Sequence, residues 1–388
     1  MFSHRVPGDL QPNRLARALD ARRARGAPIL DLTESNPTRA GFAHPPEVVA
    51  ALAEPSGVRY EPEPFGLPAA RGAVASDFAR RGVEVDPARV ILTASTSEAY
   101  SYLFKLLCDP GDEVLVPTPS YPLFDHLARL DGVRPVPYAT QFYGAWTVDA
   151  GAIARALTPS TRAVLVVSPN NPTGAYLKRP ELDALAAMCR DRSLALVGDE
   201  VFFDYPLDSS GARRASVVEQ ADALTFSLGG LSKSAALPQV KLGWMAASGP
   251  ADLVDRALAR LELVADTYLS VSTPVQLAAE PLLTAGDRLR PRILERLKAN
   301  LATLHRLAAA YPSCAVPPVE GGWSAVVQVP ATCGEEELVL RLVEEDGVLV
   351  HPGYFFDFPR EAFIVVSLLA PEAEFAEGVA HVLARASS

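Results

Sequence analysis

The chain has 388 residues, of which 49% are hydrophobic and 21% are charged, a composition typical of a soluble globular protein with two or three domains. Its net charge of −10 argues against a surface for nucleic acid or an anionic membrane. The four cysteines form no CxxC pair, the N-terminus has no secretion signal, and no apolar run reaches the roughly 18 residues that span a bilayer. We therefore expect a cytoplasmic protein.

Short apolar runs alternate with helical patterns through the middle of the chain. Strands are predicted at "RVILT", "RAVLVV", "LALVG" and "ALTFS", with a helix at "RPELDALAAMCRDRS". This alternation predicts a parallel sheet built by right-handed crossovers. From about residue 285 the pattern changes to a long charged helix, and the strands "SAVVQVP" and "AFIVVSLL" follow it. That second pattern is typical of a smaller α+β lobe.

Polar residues follow four of the predicted strands. "ASTSEA" comes after the first, "SPNNPTG" after the second, Asp199 after the third and the loop of Lys233 after the fourth. In open α/β sheets, ligands bind beyond the carboxyl ends of the strands. The sequence therefore predicts one ligand site at this edge of the sheet.

Two of these stretches have a structural and a functional interpretation. In "ASTSEA" the N–H groups and hydroxyls at the start of a helix could hold a phosphate. The same stretch could instead be a capping box formed by Ser95 and Glu98, and we favour this interpretation when the stretch is considered by itself. "SPNNPTG" suits a strand-to-helix turn, and its adjacent asparagines equally suit a planar polar ligand.

The charged residues admit two interpretations as well. Asp199 follows apolar residues, so its carboxylate needs either a structural partner or a cationic ligand such as a protonated ring nitrogen. Burial would lower the pKa of Lys233 and give a neutral amine that can attack a carbonyl, although a solvated surface lysine is the simpler alternative. Lys241, which we expect to open the next strand, would bring positive charge for a phosphate.

The chain resembles the class I/II aminotransferases, which are fold-type-I pyridoxal-phosphate (PLP) enzymes. The resemblance covers nearly the whole chain and rests on stretches in the family's order: "LDLTESNPT", "RYEPEPFGLPAARGAV", "ILTASTSEAY", "SPNNPTG", "DEVFFDY", "LSKSAALPQVKLGW" and "VLVHPGYFF". It implies a large PLP-binding α/β domain at 45–280, with a mainly parallel, seven-stranded mixed sheet flanked by helices. A smaller α+β domain would form from 1–44 plus 281–388, in a homodimer with shared active sites.

The resemblance also implies the roles of the residues around the cofactor ring. Lys233 would form the Schiff base and move the proton, and Asp199 would pair with the pyridine nitrogen. Asn171 would hydrogen-bond the ring's 3′ oxygen, and Tyr121 would stack on the ring face.

A further set of residues would hold the cofactor phosphate. Thr96 and Ser97 would bind it, with Lys241 beneath them. Tyr60 would reach the phosphate from the partner subunit, because the family's active site lies at a homodimer interface.

Several positions depart from the family pattern around the cofactor. Lys241 stands where arginine is usual, so a bidentate grip on the phosphate becomes a point charge. Gly230 stands where serine is common, and this leaves fewer donors for the phosphate. Phe202 replaces a tyrosine that donates to the 3′ oxygen, and its loss should raise the pKa of the Schiff base.

The substrate side departs as well. The family's arginine for the substrate carboxylate falls near Val365, inside an apolar strand. Arg360 is a candidate replacement, although a solvated loop charge is the favoured interpretation. Asn36 is a candidate substrate residue, Trp323 is as consistent with a substrate wall as with core, and for His351 a packed or solvated ring is favoured over one lining the pocket.

We therefore expect a PLP-dependent aminotransferase that moves an amino group from an amino acid or amine to a 2-oxo acid by a ping-pong mechanism. A PLP-dependent lyase or decarboxylase is the closest alternative. A PLP-sensing regulator is disfavoured because the family's N-terminal segment begins almost at residue 1 and the chain is acidic. A nicotinamide-dependent dehydrogenase is set aside because no GxGxxG follows a predicted strand, and the six histidines lack metal-ligand spacing.

Overall fold

The computed structural model describes residues 2–208 and 214–388. The strands within these ranges are β1 (Leu30–Asp31), β2 (Val90–Thr93), β3 (Glu113–Thr118), β4 (Arg134–Ala139), β5 (Gln141–Phe142), β6 (Trp146–Thr147), β7 (Thr161–Val167), β8 (Ala195–Asp199), β9 (Thr225–Gly230), β10 (Gly243–Ser248), β11 (Ser324–Gln328), β12 (Val348–Leu349), β13 (His351–Pro352) and β14 (Phe363–Ser367).

The α-helices of the same ranges are α1 (Arg14–Ala24), α2 (Pro46–Ala50), α3 (Pro68–Arg80), α4 (Thr96–Leu107), α5 (Leu123–Leu130), α6 (Ala150–Ala156), α7 (Arg179–Arg192), α8 (Leu231–Ser234), α9 (Ala251–Tyr268), α10 (Thr273–Leu277), α11 (Ala279–Ala308), α12 (Glu335–Arg341) and α13 (Glu372–Ala386). No helix in the described part of the chain is both long and apolar enough to cross a membrane.

Seven strands form the main sheet, in the order β2-β10-β9-β8-β7-β3-β4. Strand β10 is antiparallel to both of its neighbours, and the other pairs are parallel. The strands β2, β3, β7, β8 and β9 are almost entirely buried, as expected for parallel strands covered on both faces. The predicted α/β fold with a mainly parallel, seven-stranded mixed sheet is confirmed.

Alternate side chains along β7 show how the layers form. Ala163 and Leu165 pack in the cluster that contains α4 and α9, whereas Val164 and Val166 pack in the cluster that contains α7. Successive side chains of a strand point to opposite faces, so each apolar run supplies both cores. The main sheet is therefore the middle layer between two layers of helices.

A second, smaller sheet lies near the C-terminus. It consists of β11, β14 and β13, all antiparallel. Ile364 and Val366 of β14 pack into the core formed with α11 and α13, whereas Val365 belongs to a separate cluster on the other face. One face of this sheet is thus covered by helices, and the other faces the main sheet's ligand edge.

Helix α11 links the two parts of the molecule. Its buried residues, among them Leu282, Leu289, Ile293, Leu297 and Leu304, recur at intervals of three, four and seven, which gives the apolar stripe of an amphipathic helix. The helix begins at Ala279, earlier than the expected change of pattern near residue 285. The division into 45–280 and 1–44 plus 281–388 stays a prediction.

Candidate active site

A cavity of about 220 Å³ lies between the carboxyl ends of the main sheet and the free face of the smaller sheet. It brings together six of the predicted site residues: Thr96, Tyr121, Asn171, Asp199, Lys233 and Trp323. Asn171, Asp199 and Lys233 meet because they lie at or just after the carboxyl ends of the neighbouring parallel strands β7, β8 and β9. Trp323 comes from the other side, directly before β11 of the smaller sheet. No cluster of three or more potential metal-binding side chains occurs in residues 2–208 and 214–388.

Lys233 lies in the short helix α8, directly after β9. Its Nζ lies 4.8 Å from the centroid of Trp323 and 5.3 Å from that of Phe202, and 3.5 Å from the carbonyl oxygen of Ser35. Burial lowers the pKa of Lys233 to about 8, against the opposing effect of the Asp199 carboxylate. The amine is therefore substantially neutral and nucleophilic at mildly alkaline pH.

Asp199 is the last residue of β8. Its Oδ2 accepts a hydrogen bond from the Tyr100 hydroxyl at 3.1 Å, and its Oδ1 accepts one from the Val201 N–H at 3.2 Å. Burial raises the pKa of Asp199 to about 6, although both hydrogen bonds and Lys233 oppose this shift. Within residues 2–208 and 214–388 this carboxylate has no ion-pair partner at hydrogen-bonding distance, an arrangement that favours a cationic ligand group.

The two asparagines of "SPNNPTG" have different environments. Asn170 shapes the turn, since its Oδ1 accepts from the Thr173 N–H at 3.3 Å and from the Thr173 hydroxyl at 3.0 Å. Asn171 lines the cavity, and its Oδ1 accepts from the Ser324 hydroxyl at 3.1 Å. Asn170 thus fits the turn interpretation of this stretch, and Asn171 fits the interpretation as a ligand contact.

The N-terminus of α4 borders the cavity through Thr96. The Ser95 hydroxyl accepts from the Glu98 N–H at 3.3 Å, and the Glu98 carboxylate accepts from the Ala94 N–H at 2.6 Å. The expected N-cap at Ser95 is therefore present, whereas Glu98 accepts from Ala94 rather than from Ser95, as a capping box would require. The positive end of the helix dipole lies at this helix start, beside the lining residue Thr96.

Glycine at position 243 allows β10 to begin against this helix start. A Cβ atom there would lie 2.8 Å from the carbonyl carbon of Ser95 and 3.0 Å from the Thr96 nitrogen. Lys241, expected to open the strand, instead precedes it in a left-handed conformation with φ of 61°, and its side chain is exposed. Lys241 therefore lies two residues before Gly243, whose backbone is close to the N-terminus of α4.

Five predicted residues lie outside the cavity lining. Ser97 directly follows the lining residue Thr96, Lys241 is an exposed residue before β10, and Tyr60 is 72% exposed at a separate small cavity beside Ser270. The Asn36 side chain accepts from the N–H and hydroxyl of Thr38. The Arg360 guanidinium lies over the Phe363 ring and borders another cavity, so the structure does not bring it to Lys233.

Three side chains hold the backbone that carries the reactive amine. The Tyr205 hydroxyl donates to the carbonyl of Lys233 at 2.6 Å, and Arg290 donates to the next carbonyl, that of Ser234, at 2.8 Å. His44 Nε2 donates to the carbonyl after that, of Ala235, at 2.7 Å. These anchors satisfy three consecutive carbonyls at the end of α8 and fix the direction of the Lys233 side chain.

The face of the smaller sheet that α11 and α13 do not cover forms the cavity wall opposite Lys233. Val365, His351, Ser324 and Ser367 line it. Val365 thus occupies the wall in the strand where an arginine was expected from the family pattern. His351 lines the cavity as well, against the favoured interpretation of a packed or solvated ring.

Sequence reasoning did not identify Tyr100, Ser120 or Thr33 as residues of the cavity. Tyr100 had a usable signal, because it follows Thr96 by four residues in a predicted helix and must share its face. Ser120 and Thr33 lie in irregular segments, where no periodicity indicates the direction of a side chain.

The match to a family model agrees with this geometry. The model described as aminotransferase class I and II matches residues 27–382, and the chain belongs to that family, whose members depend on PLP.

Individual relatives support the same assignment. The chain is 30% identical to the glutamate-pyruvate aminotransferase AlaA of Escherichia coli K12 over 66% of its own length and 64% of that protein's length. It is 28% identical to an aspartate aminotransferase of Streptomyces avermitilis, over 94% of this chain and 92% of that one. The solved structure of a Thermus thermophilus aspartate aminotransferase double mutant is similar, with a TM-score of 0.86, 26% identity and 99% coverage of both chains.

Proposed function

We propose that this protein is a PLP-dependent aminotransferase that moves an amino group from an amino acid or amine to a 2-oxo acid by a ping-pong mechanism. The observation that carries the proposal is that one cavity is lined by a lysine and a buried carboxylate: Lys233, whose pKa burial lowers to about 8, and Asp199, whose pKa burial raises to about 6. The family match and the aminotransferase relatives support it.

The residues present fit PLP. The cofactor has an aldehyde, a basic ring nitrogen and a phosphate. The cavity offers one matching group for each: an amine for the aldehyde, a carboxylate for the ring nitrogen and a helix N-terminus for the phosphate. Lys233 would bind the aldehyde carbon covalently, Asp199 would pair with the ring nitrogen, and Asn171 would donate to the 3′ oxygen. Thr96, Ser97 and Lys241 would hold the phosphate, and Tyr121 would cover the ring.

When bound, PLP supplies an electron sink that stabilises negative charge on the substrate carbon bearing the amine. Asp199 would keep a proton on the ring nitrogen, because a buried carboxylate favours the protonated form of a base beside it. Lys233 would move the proton at the substrate's Cα, since an amine with a pKa of about 8 can both accept and return a proton near pH 8.

We further propose a homodimer with shared active sites, in which Tyr60 of each chain reaches the partner's phosphate site, and a cytoplasmic location. The 72% exposure of the Tyr60 side chain supports this role, since a large aromatic side chain is thereby available for a second subunit. Sedimentation of the purified protein, together with the cofactor affinity of Tyr60→Phe, tests the arrangement. A monomer that binds PLP tightly contradicts it.

The visible absorption of the purified, PLP-treated protein tests the function. We expect an absorbance band from bound cofactor that bleaches on addition of an amino donor and returns on addition of a 2-oxo acid. Release of ammonia and a 2-oxo acid from the donor, with the band retained and no added acceptor required, identifies a lyase instead. Absence of the band in the presence of PLP contradicts the proposal.

A further inference from the structure

The cavity wall opposite Lys233 has a defined register. Val365 pairs with His351 on one side and with Val326 on the other, and Ser367 pairs with Ser324. Directly opposed residues of antiparallel strands share a face, so His351 and Val365 stand side by side on the wall. Both line the same cavity as Lys233.

This wall carries no fixed positive charge. Among the described residues that line the cavity there is no arginine, and the basic side chains are Lys233 and His351. Arg39 forms an ion pair with Glu34 at 2.9 Å, and Arg360 borders a different cavity. A substrate carboxylate against the wall would lose its hydration without gaining a positively charged partner from the described residues of this chain's wall, which disfavours such a substrate.

His351 is placed as a neutral hydrogen-bonding group. Its ring stacks on Phe355 at 5.0 Å with an interplanar angle of 6°, and it meets the edge of Phe356 at 5.7 Å. Burial lowers the pKa of His351, while the Asp31 carboxylate acts in the opposite direction. A neutral imidazole offers one donor and one acceptor.

Other hydroxyls on this side of the cavity are already engaged. Ser367 donates to the Glu34 carbonyl at 2.7 Å, Thr33 donates to Asp31 at 2.6 Å, and Ser324 donates to Asn171. In the described part of the chain, the Trp323 Nε1–H and the Ser120 hydroxyl are buried without a hydrogen-bond partner. The hydrogen-bonding groups that remain for a substrate, those of Trp323, Ser120 and His351, are therefore uncharged.

We propose that His351 determines specificity in this cavity and that the amino donor carries, on its amine-bearing carbon, an uncharged hydrogen-bonding group in place of a carboxylate. The hydroxymethyl group of an amino alcohol and the carboxamide of an amino-acid amide have this chemistry. The inference rests on the proposed function and narrows its donor to an amine of this class.

A matched series of donors with one side chain tests this inference. L-leucine, L-leucinol, L-leucinamide and 2-amino-4-methylpentane differ only in the group next to the amine-bearing carbon. We expect leucinol or leucinamide to bleach the bound cofactor at least about tenfold faster than leucine, and faster than the hydrocarbon amine. Dissociation constants from tryptophan fluorescence, measured on the cofactor-loaded protein, should have the same order.

Two variants separate the contributions of the wall. His351→Phe keeps an aromatic ring on Phe355 but removes both ring nitrogens, so leucinol should lose its advantage over the hydrocarbon amine. His351→Gln retains a donor and an acceptor and should restore part of it. Val365→Arg adds the missing charge, and the rate with leucine relative to leucinol should rise.

Leucine that reacts or binds as well as leucinol in the parent protein overturns the inference, whatever supplies the charge. So does a cofactor-loaded protein that binds no member of the series, or a His351→Phe variant with unchanged preference. These outcomes differ from failure of the proposed function, in which the protein acquires no cofactor band or no amine bleaches it.

Discussion

The two walls of the cavity differ in both origin and chemistry. One wall is formed by loops after parallel strands of the main sheet, and it carries Lys233 and Asp199. The opposite wall is a face of the smaller antiparallel sheet, where Val365 and His351 lie side by side. We propose that the first wall binds the cofactor and that the second selects the substrate.

The comparison is tested most strongly at Lys233. Lys233→Ala removes the amine that would bind the cofactor covalently, and we expect aminotransferase activity to fall by about 10⁴-fold or more, because both attachment and proton transfer are lost. The absorbance of bound cofactor and the rate of the donor half-reaction measure this effect.

Lys298→Ala is the matched control for this change, because Lys298 is an exposed lysine in the middle of α11. It should retain the parent's activity and cofactor spectrum. A Lys233→Ala protein with the activity of its control would show that the reactive amine lies elsewhere.

Asp199→Asn should affect activity and stability in opposite directions. Loss of the ion pair to the ring nitrogen should reduce activity by about 100-fold. In the cofactor-free protein, the native pKa of about 6 exceeds the ordinary value of 3.8, so ionisation of Asp199 opposes folding. This penalty is absent below pH 3.8, grows as pH rises to 6 and is complete above it.

Urea unfolding measures the stability difference. Cofactor-free Asp199→Asn should therefore exceed the parent in free energy of unfolding by up to about 2 kcal/mol at pH 8, and match it near pH 4. Asp20→Asn changes an exposed carboxylate and should leave the difference near zero. A parent that is more stable than Asp199→Asn at pH 8 contradicts the assigned burial effect.

The lowered pKa of Lys233 predicts the pH dependence of cofactor capture. With a pKa of about 8, the neutral fraction and the capture rate should rise about fivefold from pH 7 to 8 and less than about twofold from pH 8 to 9. Because Asp199 stabilises the ammonium form, Asp199→Asn should move the midpoint to lower pH. Growth of the cofactor band over time gives these rates, and a midpoint near 10.5 would contradict the prediction.

The smallest expected effect concerns the anchoring of Lys233. Tyr205→Phe removes the donor to the Lys233 carbonyl and leaves that oxygen without this bond, so we expect a loss of about 1–2 kcal/mol in the free energy of unfolding. Tyr143→Phe, at a tyrosine that is 78% exposed, is the control. Equal unfolding midpoints for the two variants would show that this hydrogen bond contributes nothing measurable.

The cofactor wall was more predictable from the sequence than the substrate wall. Strand patterning located Asp199 and Lys233, because the carboxyl ends of parallel strands converge whatever the details of packing. The seven strands of the sheet were implied by the resemblance to the family. Neither the patterning nor the resemblance gave the left-handed conformation at Lys241.

The substrate wall depends on pairing between strands that are distant in the chain. The sequence showed that position 365 is apolar. It did not show that His351 lies beside Val365 on the wall, because this depends on the register between their two strands. Arg360 shows the same limit. Its position in a loop did not predict the direction of its guanidinium, which the structure places over the Phe363 ring. A one-residue change of register would have turned a different set of side chains to the cavity.

The three anchors of α8 have a consequence for how the active protein is assembled. The carbonyls of Lys233, Ser234 and Ala235 are bound by residues 205, 290 and 44, which lie far apart in the chain. A fragment with the main sheet alone would contain the lysine but lack two of the groups that orient it. We therefore expect efficient capture of the cofactor to require that His44 and Arg290 have packed against the end of α8.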